Sequence, residues 1–291
     1  MTALPLPLVL PRAGALTGTL VAPADDLVDP AERRAVVGRL EQGLAQLAPA
    51  LEGRHDLRID RYVLASGAAE ADDAPFQWSP RTARRLLGLD AVRACARGRC
   101  RTPAEAVAAT IDQAVRDASE GRARPRSPDG WLAAAGPGVR AVARAEAVTW
   151  ATQLWTTLDW RRFAGPPSIG RDEWWRARAV PGLALQGRAE VRALTAAPGG
   201  GEPDESASLR PSALLTLLAG TPGPTARVEL GLPALVDVLA HPARPTPARV
   251  VGWWPACGRA VLLPVDRGAL EDTVDAVLGA AGALAERAAI A

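Results

Sequence analysis

Three apolar stretches in the last third of the chain alternate in the manner of β-strands, and a helical pattern interrupts them. LALQGRAEVRAL begins at Leu183, SALLTLLAG at Ser212, and ARVVGWWPACGRAVLLPV at Ala248. The last of these predicts a hairpin that turns at Ala-Cys-Gly. Between the second stretch and the hairpin, VELGLPALVDVLA has the period of a helix. This order predicts an α/β core with a mixed central sheet flanked by helices.

The first 75 residues predict a strand-helix-strand segment packed on that core. Leu16 to Val21 and LRIDRYVLA, from Leu57, have the composition of strands. Asp29 followed by Pro30 is a typical helix start, and the helix after it has one apolar face. The residues of that face are Val36, Leu40, Leu44 and Leu47.

The middle of the chain predicts helices. Ser79 and Thr102 each precede a proline and can cap a helix, and a longer helix extends over GVRAVARAEAVTWATQLWTTLDWRRF. Its tryptophans, Trp150, Trp155 and Trp160, indicate core packing, with a platform for stacked bases as the alternative. We therefore expect residues 76–291 to form one domain with a helical insertion over 102–165.

Arginine supplies every basic side chain in the protein. The chain has 34 Lys+Arg residues, none of which is lysine, and it also has no asparagine. A phosphate-loop lysine, a Schiff-base lysine and a lysine that activates water are therefore excluded. The formal net charge of +2 indicates that any nucleic-acid-binding surface must be local.

The cysteines and the hydropathy pattern predict a cytoplasmic protein with no membrane partner. Three cysteines are too few for a disulfide framework, and they form no CxxC pair. Cys95 and Cys100 could bind zinc or an iron-sulfur cluster only with ligands from elsewhere, and the chain has just two histidines, His55 and His241. We see no signal peptide and no apolar run of about 18 residues.

Glu190 is the acid whose position needs an explanation. Strict alternation places it on the opposite face of its strand from Ala189 and Val191. A lone acid on the wet face of a strand is usually a solvated charge. The alternative is a metal ligand, which needs companion ligands.

The segment order resembles a nuclease family. Phe-Gln-Trp-Ser-Pro at Phe76 precedes a helix, Gly187 to Glu190 spells glycine, two residues and an acid, a second strand follows at Leu214, and Glu229 opens a helix. This order is similar to the RecB-type branch of the PD-(D/E)xK nuclease superfamily, in particular the small RecB-like proteins of actinobacteria. The resemblance covers roughly Phe76 to Ala285 and implies a restriction-endonuclease-like core. In that family two carboxylates hold Mg²⁺ while a lysine orients the attacking water.

The catalytic positions of that family are degenerate in this chain. Thr216 replaces the second acid, Leu218 replaces the lysine, and glutamate stands for aspartate at Glu190. Further departures are Arg85 for a glycine, Leu89 for a histidine and Pro233 for a tyrosine, while Glu229 is kept. An aliphatic side chain at Leu218 can neither orient water nor stabilise developing charge.

The resemblance therefore implies a catalytically inactive pseudo-nuclease. We expect it to act as a structural or binding subunit of a protein or protein-nucleic-acid assembly, without an intact catalytic residue, a metal or another cofactor. One alternative is an active Mg²⁺-dependent DNA nuclease with a relocated site. Its acids would come from Glu173, Glu190, Glu229 or Asp237. A second alternative is a protein-interaction scaffold that binds no nucleic acid.

Two surfaces are candidates for binding. Between residues 81 and 126 eleven arginines stand against five acids, which indicates either a solvated helix face or a strip that contacts DNA phosphates weakly. The DNA-binding candidates are Arg81, Arg84, Arg85, Arg97, Arg99 and Arg101. Trp174 and Trp175 are candidates for a protein interface, because adjacent side chains of an extended segment cannot both enter one core. Alternatively, both cover the edge of the protein's own sheet.

Overall fold

The chain forms two compact units. A computed structural model describes residues 8–9, 15–24, 28–54, 57–66, 78–122, 127–163, 167–195 and 211–290. One unit combines Met1–Ala71 with Arg162–Ala291, and the other spans Asp72–Arg161. The predicted helical insertion, residues 102–165, overlaps the second unit, which also contains the helix that follows Ser79.

The first unit contains the sheet. Its described strands are β1 (Leu8–Val9), β2 (Leu57–Ile59), β3 (Ser168–Arg176), β4 (Leu183–Leu194), β5 (Ser212–Leu217), β6 (Arg249–Trp254) and β7 (Arg259–Pro264). They pair in the order β1-β7-β6-β5-β4-β2, and β3 pairs along the other side of β4. The pairs β2–β4 and β5–β6 are parallel and the others antiparallel. The predicted mixed α/β class is confirmed.

Three helices begin where the sequence predicts their caps, at Asp29, Ser79 and Thr102. In chain order they are α1 (Ala15–Val21), α2 (Pro30–Leu51), α3 (Arg61–Ser66), α4 (Pro80–Ala96), α5 (Pro103–Ser119), α6 (Pro128–Ala134), α7 (Pro137–Thr157), α8 (Ala226–Ala240) and α9 (Arg267–Ile290). Asp29 accepts from the backbone of Glu32, Ser79 from Thr82 and Thr102 from Glu105. None of the described helices is long and apolar enough to cross a bilayer.

One face of the sheet carries the main core. α8 packs on β4, α9 packs on α8, and α2 packs on α9. Leu230 to Leu239 of α8 are all buried, because this helix is covered on several sides. Leu185 of β4, Leu214 of β5 and Val250 of β6 contribute to the same apolar cluster.

The predicted strand at Leu16–Val21 is wrong, because this segment forms α1. Leu16, Thr17 and Leu20 are fully buried, at the spacing of one helical face. The guanidinium of Arg249 donates to the carbonyl oxygens of Thr19, Ala22 and Pro23, and so caps the end of the helix. Tertiary contacts therefore override the strand preference of the Thr and Val residues.

The strand predicted over LRIDRYVLA is much shorter than expected. Only Leu57–Ile59 pairs with β4, and α3 begins directly after Asp60. The Asp60 carboxylate accepts from the backbone N–H groups of Tyr62 and Val63 and thereby starts the helix. This early turn leaves room beside β4 between β2 and β5.

The second unit is helical. α4 and α7 pack closely, and a Cβ on Gly88 would lie 2.4 Å from Cε3 of Trp150. Glycine at this position therefore lets the indole lie against the α4 backbone. The rings of Trp155 and Trp160 stack with their centroids 5.0 Å apart. The packing role predicted for these tryptophans agrees with both contacts.

Candidate functional site

The site aligned with the nuclease motifs lies where β4 and β5 diverge. The two strands pair from Leu194–Ser212 to Val191–Leu215. Beyond this point β5 continues along β6 up to the pair of Leu217 with Trp253. β4 continues toward β2, which pairs with it at Leu183–Leu185. Residues 186–190 of β4 therefore border a gap between β2 and β5.

The side chains of β4 alternate between the two faces of the sheet, and this alternation changes phase at Glu190. Gly187 faces α8, because a Cβ there would lie 2.9 Å from Cβ of Val236, and Arg192 faces α8 through its ion pair with Asp237. Strict alternation would place Gly187 and Arg192 on opposite faces, since they are five positions apart. Opposite Glu190 on β3, Gly170 has a φ of +63°, which is accessible to glycine without strain. The change of phase falls at this pair.

Glu190 is buried and hydrogen-bonded. Its side chain is 1% exposed, and Oε2 accepts from the backbone N–H of Leu217 at 2.7 Å. The interpretation of Glu190 as a solvated charge is therefore wrong. The carboxylate bonds to β5 at the point where the strands have already diverged.

Two further side chains bridge the gap to backbone oxygens. Thr216 Oγ1 donates to the carbonyl of Arg188 at 2.5 Å, and Arg61 Nη1 donates to the carbonyl of Leu217 at 2.9 Å. Buried backbone groups that lose their strand partner need such replacements. The side chains of Glu190, Thr216 and Arg61 therefore act here as structural links between chain segments.

The remaining family positions are also engaged in structure. Leu218, aligned with the lysine, is 6% exposed and belongs to the main apolar core. Glu229 lies in the first turn of α8, where its Oε1 accepts from Oγ1 of Thr225 at 2.7 Å. Pro233, aligned with the tyrosine, touches β4, because its Cα would lie 3.1 Å from a Cβ on Gly187. Glycine at 187 thus permits the close approach of α8.

A small cavity lies in the gap. Its lining includes Arg61, Gln186, Thr216 and Glu229, and its volume is about 10 Å³. This volume holds no more than about one water molecule. A Mg²⁺ ion that keeps several waters needs more space than this. The two carboxylates of the lining, Asp60 and Glu229, already accept hydrogen bonds from Tyr62, Val63 and Thr225, so these residues do not fit a Mg²⁺ site.

A second polar cluster lies on the α8 face of the sheet. Both carboxylate oxygens of Asp237 accept from Arg192, at 2.5 and 2.7 Å, and Arg192 also donates to Oγ of Ser212. Asp237 is 2% exposed. Nearby, His241 Nε2 lies 3.0 Å from Oε2 of Glu173, without the alignment of a hydrogen bond.

This second cluster contains side chains of the types that bind metals, but a positively charged arginine lies among them. One ligand atom each from Glu173, Asp237 and His241 lie within 4.8 Å of one another. The guanidinium of Arg192, however, occupies both oxygens of Asp237. A divalent cation bound at Asp237 would have to displace this arginine, because the two positive charges would repel each other at short distance. The geometry is that of a buried ion-pair network.

The predicted DNA-binding arginines lie on α4 and in the turn after it. Arg81, Arg97, Arg99 and Arg101 are exposed. Arg84 Nη1 instead donates to Glu146 on α7 at 3.0 Å, and Arg85 is half-buried. Four of the six predicted arginines thus have the exposure that contact with phosphate requires.

The two predicted interface tryptophans point in different directions. Both lie on β3, where Trp174 is 47% exposed and Trp175 packs against the main core. The segment is a strand, so one tryptophan of the pair faces the core and the other does not. Of the two, Trp174 is the one with a side chain accessible to a partner.

The structure places Cys95 in the interior of the helical unit. Cys95 is 7% exposed, and burial, with smaller effects of Cys100 and Glu105, raises the pKa of its thiol to about 11. Cys95 is a core residue of α4.

The sequence reasoning missed Arg192, Ser212 and His241. Asp237 offered a signal, because it is one acid within the apolar run LPALVDVLA and a buried acid needs a cation nearby. Arg192 offered none, since alternation from Gly187 places it on the face away from α8. The change of phase at Glu190 brings it to Asp237.

The hydrogen bond of Glu190 can be tested by two substitutions. We expect Glu190→Gln, which keeps an acceptor oxygen, to lower the free energy of unfolding by less than about 1 kcal/mol. Glu190→Leu leaves the N–H of Leu217 without this acceptor, and we expect a loss of about 1–3 kcal/mol. Urea unfolding of both variants measures the difference. Equal stability of the two variants would contradict the assigned role.

The buried ion pair can be tested by a double-mutant cycle. We expect Arg192→Leu and Asp237→Leu each to cost about 3–5 kcal/mol, because each leaves one buried charge unpaired. The double variant should lose much less than the sum of the two, because no charge then remains. Additive losses in urea unfolding would show that the two side chains do not stabilise each other.

Comparison with known proteins adds no relative from which the chemistry could be read. The likeness to RecB-type nucleases rests on the residues quoted from the sequence and stays a prediction. No protein-family model, curated protein or solved structure matches the chain.

Proposed function

We propose that the protein is a non-catalytic binding or structural subunit built on a degenerate RecB-type nuclease fold. One observation carries this proposal. The gap between β4 and β5 is bridged by Glu190 bonded to the N–H of Leu217 and by Thr216 bonded to the carbonyl of Arg188. The two positions that would hold a metal bond to the backbone instead.

Leu218 supports the same proposal. Nuclease chemistry at this place needs a group that polarises water, and the chain has no lysine to supply it. Leu218 packs in the main core and its N–H donates to the carbonyl of Trp253 at 2.8 Å. Its side chain contributes to stability through burial and has no part in chemistry.

A nuclease with a relocated site is the second candidate. The group formed by Glu173, Asp237 and His241 favours it, because these side chains bring carboxylate and imidazole ligands together. The bidentate bond of Arg192 to Asp237 argues against it. Under this alternative the metal would be a divalent cation held mainly by Glu173 and His241.

A cleavage assay separates the two candidates. We expect no cleavage of single-stranded DNA, duplex DNA or RNA with Mg²⁺ or Mn²⁺, because Thr216 leaves the site without its second acid and Leu218 leaves it without its lysine. Metal-dependent cleavage that Glu190→Gln abolishes would restore the family site. Cleavage that Glu173→Gln abolishes, with Glu190→Gln still active, would establish the relocated site. Glu286→Gln on α9, an exposed glutamate, is the matched control for loss of one carboxylate.

The partner class follows from the surfaces. The exposed Trp174 favours a protein partner, because tryptophan is enriched at interface hot spots. The exposed arginines after α4 favour weak contacts to nucleic-acid phosphates. A scaffold that binds no nucleic acid would use only the first of these surfaces.

A DNA titration decides whether nucleic acid belongs to the function. We expect weak, sequence-independent binding of labelled DNA that falls steeply with salt and is reduced in Arg97→Ser/Arg99→Ser/Arg101→Ser. Arg34→Ser on α2 is the control, because it removes an exposed arginine from another helix. Absence of binding at low salt would support the scaffold that contacts protein alone.

A further inference from the structure

β3 is an edge strand with an exposed aromatic ring. Among the described strands it pairs with β4 alone. Asp172, Trp174 and Arg176 lie on one face of β3, opposite Arg188, Gln186 and Ala184 of β4. Trp175 lies on the other face and packs in the core. A long edge strand with an exposed tryptophan presents backbone groups and apolar surface to any strand that can pair with it.

The charges on the exposed face of β3 have opposite signs on the two sides of Trp174. Asp172 precedes the tryptophan by two positions, and Arg176 follows it by two. The Asp172 carboxylate stays on this face, because its Oδ2 lies 3.5 Å from Nε2 of Gln186. Edges that are protected against pairing commonly carry like charges, which repel a copy of themselves. The pattern on β3 is instead complementary to its own antiparallel image.

We propose that β3 pairs antiparallel with β3 of a second copy of the chain, with a two-fold axis through Trp174. In this register Asp172 lies opposite Arg176 of the second copy, and Arg176 opposite its Asp172. The two Trp174 rings are directly opposite, where cross-strand aromatic pairs are stabilising. The contact of Asp172 with Arg176 occurs twice, and the contact between the two Trp174 rings lies on the axis and occurs once. The two sheets become one continuous sheet.

The neighbouring registers are less favourable. A two-fold axis through Glu173 would place this acid opposite itself, and like charges directly opposite destabilise a strand pair. An axis through Trp175 would place Trp174 opposite Arg176 and remove the pair of Arg176 with Asp172. If the axis passed between two residues, each residue of the exposed face would pair with a residue of the core face. The two copies of α8 would then lie on opposite sides of the joined sheet. Only the axis through Trp174 matches both charges and faces.

This inference deepens the proposed binding function, because it names the partner at Trp174 as a second copy of the chain. It is tested separately, since the oligomeric state of the protein does not depend on cleavage. Pairing over five residues is a small interface. We therefore expect a weak, concentration-dependent dimer with a dissociation constant of about the micromolar range.

Sedimentation of the full chain over a wide concentration range is the first experiment. We expect the mass to rise from 30.3 kDa toward twice that value as concentration increases. Asp172→Arg places arginine opposite arginine, and Arg176→Asp places acid opposite acid. For each variant we expect the dimer dissociation constant to rise at least about tenfold, because every reversed pair occurs twice.

Mixing the two variants is the decisive experiment. A chain with Asp172→Arg and a chain with Arg176→Asp are complementary to each other in the proposed register, so we expect the mixture to form a heterodimer. The recovered association also shows that both variants are folded. The double variant Asp172→Arg/Arg176→Asp should form a homodimer again. Arg259→Asp, on β7, is the control and should dimerise like the unchanged protein.

Three results would overturn the proposal. One is a protein that stays monomeric at all concentrations. A protein that binds single-stranded DNA through Trp174 and does not self-associate belongs to this outcome. Another is a dimer that neither single variant weakens. The third is a mixture of Asp172→Arg and Arg176→Asp that remains monomeric while circular dichroism shows both proteins folded.

Discussion

The ion pair between Arg192 and Asp237 joins the sheet to its central helix. Asp237 is 2% exposed, and a carboxylate in such surroundings is costly unless a cation compensates it. Arg192 supplies two parallel hydrogen bonds, which fix both distance and orientation. Because α8 also contacts β5, β6 and α9, the position of α8 on β4 determines how the main core is assembled.

The direction of Arg192 depends in turn on the change of phase at Glu190. Where the phase of β4 changes, the backbone of β5 has already moved away, and a glutamate is long enough to reach it. A shorter aspartate would leave the N–H of Leu217 further from its acceptor. The length of the glutamate side chain at Glu190 therefore suits a structural role, the bond across to β5.

Local signals in the sequence predicted the elements that depend on local interactions. The caps at Asp29, Ser79 and Thr102 fix helix starts through bonds to residues three positions away, so they can be read directly. The α1 helix could not be predicted, because Arg249, more than two hundred residues later, caps it. Glu190 is buried where it bonds to the N–H of Leu217 on a neighbouring strand, and alternation within one segment contains no such information.

The pairing of β2 with β4 sets an order of folding. Leu57 pairs with Leu183, which lies 126 positions later in the chain. In the sequence, the helical unit Asp72–Arg161 lies between these two residues. Closing so long a loop costs entropy before any contact is formed, whereas helices with neighbouring partners fold quickly. During synthesis the helical unit can therefore be complete while β2 still waits for its partner strand. Until α9 leaves the ribosome, the apolar face of α2 lacks the helix that it packs on, and this is the interval in which a nascent chain is exposed to aggregation.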